Sequence, residues 1–239
     1  MIDLHAHILP QVDDGADSME ETMRMIAMAY EQGFRRIIAT PHYRADGTNK
    51  SIEELTEILD QVRAAAGNRF PGLSLGLGQE VQYFEGIVEA LSRQEILTIA
   101  GSRYILVEFS YGASWNTVYR GVRKLLAAGC CPVIAHVERY AELRKEGRLE
   151  QLAGAGGILQ MNFSSLTGKI WNSSVRWCRK QVLGGRIHVL STDCHNSVSR
   201  KPDVREAMTW LQKSCSAGQI QEMTSRNAEY MLSLIHISE

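Results

Sequence analysis

Short apolar runs of strand length alternate along this chain with longer stretches whose apolar residues recur every three or four positions. The first run covers 1–5. Ser18-Met19-Glu20-Glu21 then has the form of a capping box opening a helix. Met23, Ile26, Ala27 and Tyr30 make one face of that helix, and Gly33 ends it. A second strand is expected over 36–40. Ser51-Ile52-Glu53-Glu54 repeats the start signal, with Leu55, Ile58, Leu59 and Val62 as the next apolar face. Further strands are expected over 73–81, 104–109, 132–136, 157–162 and 187–192. Helices are expected near 86–92, 118–126, 141–153, 174–183, 203–213 and 220–232.

Strands alternating with helices imply right-handed βαβ units and a parallel sheet. Seven such strands predict an α/β fold closed as a (β/α)7 TIM-like barrel, with an open doubly wound sheet as the alternative. No composition shift marks a boundary, so 1–232 is expected to be one barrel domain. Residues 233–239, His236 among them, are out of character and are set aside as a non-native or disordered tail.

Composition narrows the function. The chain has 239 residues, 44% of them apolar, enough for a sizeable core. A net charge of −1 gives no basic footprint for nucleic acid. No apolar run is long enough for a membrane span, and the opening strand has no signal-peptide character. A cytoplasmic location is expected. Five cysteines, odd in number and without a C-x-x-C pair, argue against a disulfide framework or a thiolate metal site.

The chemistry sits where the strands end. Six of the seven expected strands finish in, or just before, a histidine or an acid. These residues are His5 and His7, then Asp14, His42, Glu80, Glu108, His136, Asp193 and His195. In a parallel barrel such ends share one rim. Alternation puts Asp3, His5 and His7 on one face and sends Ile2 and Leu4 outward onto helices. Glu108 closes the apolar run Tyr104-Ile105-Leu106-Val107, where an unpaired carboxylate costs several kcal/mol, roughly. A bound divalent cation removes that cost. Asp13-Asp14-Gly15 and Thr40-Pro41-His42 read alone as turns. The donors are oxygen and imidazole without thiolate, a set suited to manganese, iron or zinc. His188 lies early in its strand and reads as structural.

These stretches resemble the PHP superfamily, and more narrowly the bacterial manganese-dependent protein-tyrosine phosphatases of the capsule and exopolysaccharide type. The resemblance rests on Met1-Ile2-Asp3-Leu4-His5-Ala6-His7, Val12-Asp13-Asp14-Gly15, Thr40-Pro41-His42, Gly78-Gln79-Glu80, the run ending at Glu108, Ala135-His136-Val137-Glu138-Arg139-Tyr140, and Ser191-Thr192-Asp193-Cys194-His195-Asn196. It implies a distorted seven-stranded barrel with two or three divalent ions, manganese first. It also implies a grouping. His5, His7, Glu80 and Asp193 would surround one ion. Glu80, Glu108 and His136 would hold a second, and Asp14, His42 and His195 a third. The implied substrate is a phosphotyrosine protein, and the implied partner a bacterial tyrosine kinase.

Arg139 and Arg200 follow ligand-bearing strand ends and are the candidate phosphate clamps, since a guanidinium fork matches phosphate oxygens. Tyr111, Trp115 and Tyr140 are candidates for an aromatic groove. Four other readings compete. Cys194 to Arg200 spells Cys-x5-Arg, but the intervening residues lack the glycine a tight anion nest favours. An amidohydrolase shares His-x-His on a first strand. Histidinol phosphatase or nuclease activity stays within the superfamily, and a metal-bearing scaffold needs no turnover at all.

Overall fold

The computed structural model describes residues 1–233. The chain runs β1 (Ile2–Ala6), α1 (Met19–Glu31), β2 (Arg36–Ala39), β3 (His42–Tyr43), α2 (Ile52–Ala66), β4 (Ser74–Leu77), β5 (Glu80–Gln82) and α3 (Ile87–Ser92). It continues with β6 (Tyr104–Glu108), α4 (Trp115–Ala127), β7 (Cys131–Ile134), α5 (Arg148–Gly154), β8 (Ile158–Asn162), α6 (Ser173–Leu183) and β9 (Val189–Ser191). The chain then forms α7 (Arg205–Ser214), α8 (Ala217–Gln221), a π turn over Glu222–Arg226 and α9 (Asn227–Ser233). Ser233 thus ends a helix. The rest of the expected tail, 234–239, lies outside the described residues.

The architecture is α/β with parallel pairing between strands. It differs from one closed seven-stranded ladder. The described residues form nine short strands in two sheets, ordered β1-β2-β4 and β3-β5-β6-β7-β8-β9. One expected strand, 73–81, is broken in two, and a further two-residue strand, β3, follows the second in the stretch read as a turn. Thr40-Pro41 parts β2 from β3, where proline has no N–H to donate. Gly78-Gln79 interrupts the strand expected over 73–81, leaving β4 and β5; a Cβ on Gly78 would stand 3.2 Å from the Ile99 Cα. Hydrogen bonds cross both breaks, from Gly78 N to Ala39 O at 2.8 Å and from Glu80 N to Pro41 O at 3.0 Å. At the other seam a single parallel bridge joins Ala6 to Cys194.

The strands are apolar on both faces, as buried parallel strands are. Ile37, Ile105, Val107, Leu159 and Leu190 pack with helix residues such as Ile26, Leu59, Val122 and Leu152 in the larger core cluster. The opposite faces form a second cluster containing Ile2, Leu4, Ile38, Leu106, Val133 and Val189. Ala228, Met231 and Leu232 of α9 join this inner cluster. Asn227 at the start of α9 donates to the carbonyl of His188, just before β9 begins. So α9 covers the end where the strands start and leaves the other end free for chemistry.

This packing corrects the reading of β1. Ile2 and Leu4 belong to the inner cluster rather than to the helix-facing side. The β1–β2 register slips by one residue between Asp3 and Ala6. Such a bulge reverses which face later side chains take. Leu4 and His5 therefore both serve the inner side, and Ala6 joins the outer core. Asp3 instead accepts from the Thr192 amide (3.1 Å) and hydroxyl (2.6 Å). Two helices also differ from expectation. The stretch 141–153 is a 3-10 turn, Ala141–Arg144, then α5, parted by Gly147 at φ +76°. The last helix is interrupted by the π turn.

Candidate metal centre

The nine candidate side chains named from the sequence meet at the C-terminal ends of the strands. His5 lies on β1 and His7 just beyond it, both fully buried. Glu80 opens β5, Glu108 ends β6, and His136 follows β7. Asp193 and His195 follow β9. His136 and Asp193 carry positive φ, +34° and +51°, unusual for residues with a Cβ. That backbone turn departs from strand geometry at each position, and surrounding structure has to hold such strain, typically about 1–3 kcal/mol per residue. Gly15 is required by proximity, because a Cβ there would collide with the His7 carbonyl oxygen.

Glu80 is the hub. Its Oε2 lies 3.2 Å from His5 Nε2, 3.3 Å from His7 Nε2 and 3.2 Å from His42 Nδ1. Its Oε1 is 2.8 Å from His136 Nε2. Asp193 Oδ1 stands 3.4 Å from His5 Nε2 and 3.6 Å from His7 Nε2. Glu108 comes within 3.7 Å of both His42 and His136. Asp14 Oδ1 lies 3.2 Å from His42 Nε2 and 3.5 Å from His195 Nε2. Three sets have ligand atoms mutually within 4.8 Å: His5, His7 and Asp193; His42, Glu80 and Glu108; and His7, Asp14, His42 and His195. His7 and His42 each take part in two sets, which the grouping implied by the resemblance did not include.

The sequence reading missed the residues that aim these ligands. Asp13 Oδ2 is 2.7 Å from His7 Nδ1, so with the proton on Nδ1 the carboxylate accepts it and Nε2 is free. Gln160 Oε1 lies 3.3 Å from His5 Nδ1 and accepts from the His136 amide at 2.7 Å. Asn162 donates to Asp193 Oδ2 and accepts from Gln160 Nε2, both at 2.8 Å. Glu138 takes the Asn162 amide and the Ser165 hydroxyl. The signal was present in Ile158-Leu159-Gln160-Met161-Asn162. Its two amides alternate with residues of the outer core, so they point inward from the one expected strand that carries no candidate ligand.

Burial opposes charge on His7, but the adjacent Asp13 and Glu80 carboxylates outweigh it and raise its pKa to about 10. Burial and the nearby His7 lower His195 to about 3, and the same two causes lower His42. Burial, then repulsion from Glu80, lifts Glu108 to about 7. Glu80 is held well below the ordinary carboxylate range: burial works against this, but His5, His136 and His7 prevail. Two buried imidazole nitrogens, His42 Nδ1 and His195 Nε2, make no aligned hydrogen bond among the described residues, although carboxylate oxygens stand 3.2 and 3.5 Å from them. Leaving such atoms bare costs about 1–3 kcal/mol each. The donor set and these bare nitrogens fit divalent cations.

A pocket of about 550 Å³ opens over the cluster, lined by Asp14, His42, Glu108 and Asp193 and by Arg44, Tyr111, Arg139 and Arg200. Arg139 Nη2 is 2.5 Å from Asp193 Oδ2, and Arg200 Nη2 is 3.1 Å from Asp193 Oδ1. Arg44 was not anticipated; it follows the two-residue strand β3. Of the three aromatic candidates only Tyr111 lines the pocket. Tyr140 is buried and accepts from the Phe109 amide. Trp115 packs beside Tyr119, with Arg148 over its ring. Cys194 is 2% exposed within the outer core, and burial pushes its thiol far up from the ordinary range. The buried sulfur does not line the pocket, which argues against the Cys-x5-Arg reading.

Parallel strands carrying a buried histidine–carboxylate cluster at their ends define a metallohydrolase-like α/β protein. The profile of the family described as capsular polysaccharide synthesis, CpsB/CapC, matches residues 1–233, and the chain belongs to that family. It is 34% identical over 229 residues to the tyrosine-protein phosphatase CpsB of Streptococcus pneumoniae, covering 93% of this chain and 94% of that one. It is 30% identical over 233 residues to the tyrosine-protein phosphatase YwqE of Bacillus subtilis, covering 97% and 91%. Among solved structures, one of YwqE from Bacillus subtilis and CpsB from Streptococcus pneumoniae, described as unique metal-dependent tyrosine phosphatases, aligns with TM-score 0.88 at 30% identity. That alignment covers 98% of this chain and 94% of the other. A D-hydantoinase aligns at TM-score 0.56 and 11% identity, over 93% of this chain and 68% of that one, a likeness of fold alone.

Proposed function

We propose that this chain is a metal-dependent phosphomonoester hydrolase acting as a protein-tyrosine phosphatase. Its substrate is a tyrosine-phosphorylated protein, a bacterial tyrosine kinase of capsule or exopolysaccharide regulation. The observation that carries the reading is the convergence of nine imidazole and carboxylate side chains with Glu80 as their hub, two buried ring nitrogens among them lacking aligned hydrogen-bond partners among the described residues. We read 1–232 as one distorted seven-strand barrel domain, since hydrogen bonds run across both strand breaks and the Ala6–Cys194 bridge spans the seam. No helix among the described residues is long and apolar enough to cross a membrane. A cytoplasmic site of action accords with the five free cysteines.

His5, His7, Glu80 and Asp193 would hold one ion, Glu80, Glu108 and His136 a second, and Asp14, His42 and His195 a third; manganese leads, with iron or zinc as substitutes. When bound, such cations polarise phosphoryl oxygens and bring the pKa of a water to roughly 7. The protein's own groups do the rest. Asp13 and Gln160 fix the histidine rings, so little rearrangement is needed at reaction. Arg139 and Arg200 reach the pocket from two loops and pair there with Asp193; an entering phosphate draws on the same guanidinium forks. Tyr111, 59% exposed at the rim, offers a face to the substrate's phenol ring. Hydrolysis adds water to phosphorus and breaks the bond to the phenol oxygen. That phenolate has a pKa near 10, roughly, and leaves with little help from an acid.

The test is turnover of p-nitrophenyl phosphate, a phosphotyrosine peptide and histidinol phosphate, with and without manganese. Manganese-dependent release from the first two supports the reading. Preference for histidinol phosphate moves the assignment elsewhere in the superfamily, and no turnover of metal-loaded protein favours a scaffold.

A further inference from the structure

A second pocket of about 880 Å³ lies between the segment after β5 and one side of α4. It is lined by Tyr83, Glu85, Tyr119, Arg120, Arg123 and Lys124, with small polar residues at the start of the helix. Its charge is unbalanced. Lys124 Nζ donates to the Glu85 carbonyl and lies 3.5 Å from the Glu85 carboxylate, so that pair cancels. Arg120 and Arg123 are exposed, three residues apart on α4, and neither pairs with a carboxylate among the described residues. The surroundings of the metal cluster, by contrast, are rich in acids. One stacked ring pair links the two linings, with Tyr83 and Phe109 centroids 4.9 Å apart. Tyr83 lines the outer pocket and Phe109 the inner one.

We propose that this groove docks an acidic peptide segment flanking the phosphotyrosine of the substrate protein. The inference rests on the phosphatase reading above and adds a preference that reading does not contain. Two adjacent guanidinium groups without partners complement carboxylates, and Tyr83 and Tyr119 give the peptide's side chains an aromatic wall. An extended peptide advances about 3.4 Å per residue, so residues flanking the phosphotyrosine run past the Tyr83–Phe109 pair. The contribution falls on docking and not on the reacting phosphate, because neither arginine lines the inner pocket.

The experiment uses the double variant Arg120→Glu/Arg123→Glu with full-length, metal-loaded protein. Three phosphotyrosine peptides are compared, flanked by glutamates, by neutral residues or by lysines, alongside p-nitrophenyl phosphate. The expected result is a KM for the glutamate-flanked peptide raised about tenfold with kcat unchanged, since rim charges act on encounter and docking. The neutral peptide and p-nitrophenyl phosphate keep their wild-type constants, and the lysine-flanked peptide improves. Equal losses on every substrate, or a wild type indifferent to flanking charge, would overturn the proposal. A separate arm measures fluorescence anisotropy of a labelled glutamate-rich peptide without phosphate. Binding that weakens in the variant and with added salt supports the groove even if no phosphoester is turned over, in which case only the phosphatase reading falls. Equal binding to both proteins overturns the groove itself.

Discussion

The Nε2 atoms of His5 and His7 stand 3.2 Å apart, on two side chains separated by a single residue. In a regular strand that spacing points both rings to one side, but here the side is set by the bulge between Asp3 and Ala6. Two ring nitrogens this close repel as lone pairs unless a proton or a cation lies between them. Their Nδ1 atoms already face Asp13 and Gln160, so the Nε2 pair is directed at a shared occupant.

Asp13 is therefore a positioning residue, and Asp13→Asn tests it. The amide keeps the shape but loses the charge that holds His7 in its tautomer. Manganese affinity, read by competition with a chelating dye, should fall about 10–100-fold while the circular dichroism spectrum stays native. Unchanged affinity would mean that the 2.7 Å contact is incidental.

Arg139 and Arg200 both grip Asp193 from the pocket side, yet they differ in setting. Arg139 is the more buried, at 32% against 39% side-chain exposure, and makes the shorter contact. Arg139→Ala should lower kcat/KM for a phosphotyrosine peptide about 100-fold, roughly 2.7 kcal/mol of transition-state binding. Arg139→Lys should recover only part of it, because an ammonium lacks the two-pronged geometry. Arg200→Ala should cost less. Metal content measured alongside must stay level; a parallel loss of metal would assign both arginines to holding Asp193 rather than phosphate.

Cys194→Ser should leave kcat within about twofold of wild type, with a stability loss on the order of 1–3 kcal/mol from placing a hydroxyl in the outer core. Abolished turnover at full metal content would restore a thiol mechanism.

How far the sequence disclosed this site depends on local regularity. Tyr104, Leu106 and Glu108 alternate without interruption, so Glu108 was legible as the inward residue at a strand end. The facing of Ile2 and Leu4 was misread because a one-residue bulge leaves no mark in composition. Gln160 and Asn162 were passed over because amides are not ligands, although their alternation with Leu159 and Met161 was as clear as that of β6. The break at Gly78-Gln79 had its punctuation in plain view, but one strand was expected across it; Thr40-Pro41 was read as the end of its strand, and the short β3 beyond it was not foreseen. Glu21 shows a different limit. It stands at the capping-box position of α1, yet its carboxylate leaves Ser18 to bind Ser197 in the loop that carries Arg200, a contact 176 residues away in sequence.

His188 supplies a pH test away from the metal cluster. Its Nδ1 accepts from the Leu159 amide at 3.0 Å, which requires a neutral ring, and burial lowers its pKa from 6.5. A lowered histidine binds fewer protons when folded than when unfolded. Its stabilising effect is thus present above about pH 6.5 and is lost as the pH falls toward the depressed folded value. Urea denaturation at about pH 7 and about pH 5 should show a drop in stability that is smaller in His188→Asn, whose amide oxygen can still accept. An identical drop in both proteins would remove His188 from the account.

The central claim is that these side chains gather to hold cations, and anomalous diffraction at the manganese absorption edge tests it most directly. Crystals grown with manganese should show separate peaks inside the Glu80-centred cluster, with loss of density around the hub in Glu80→Gln. A cluster without anomalous signal, in protein that still hydrolyses phosphotyrosine, would contradict it.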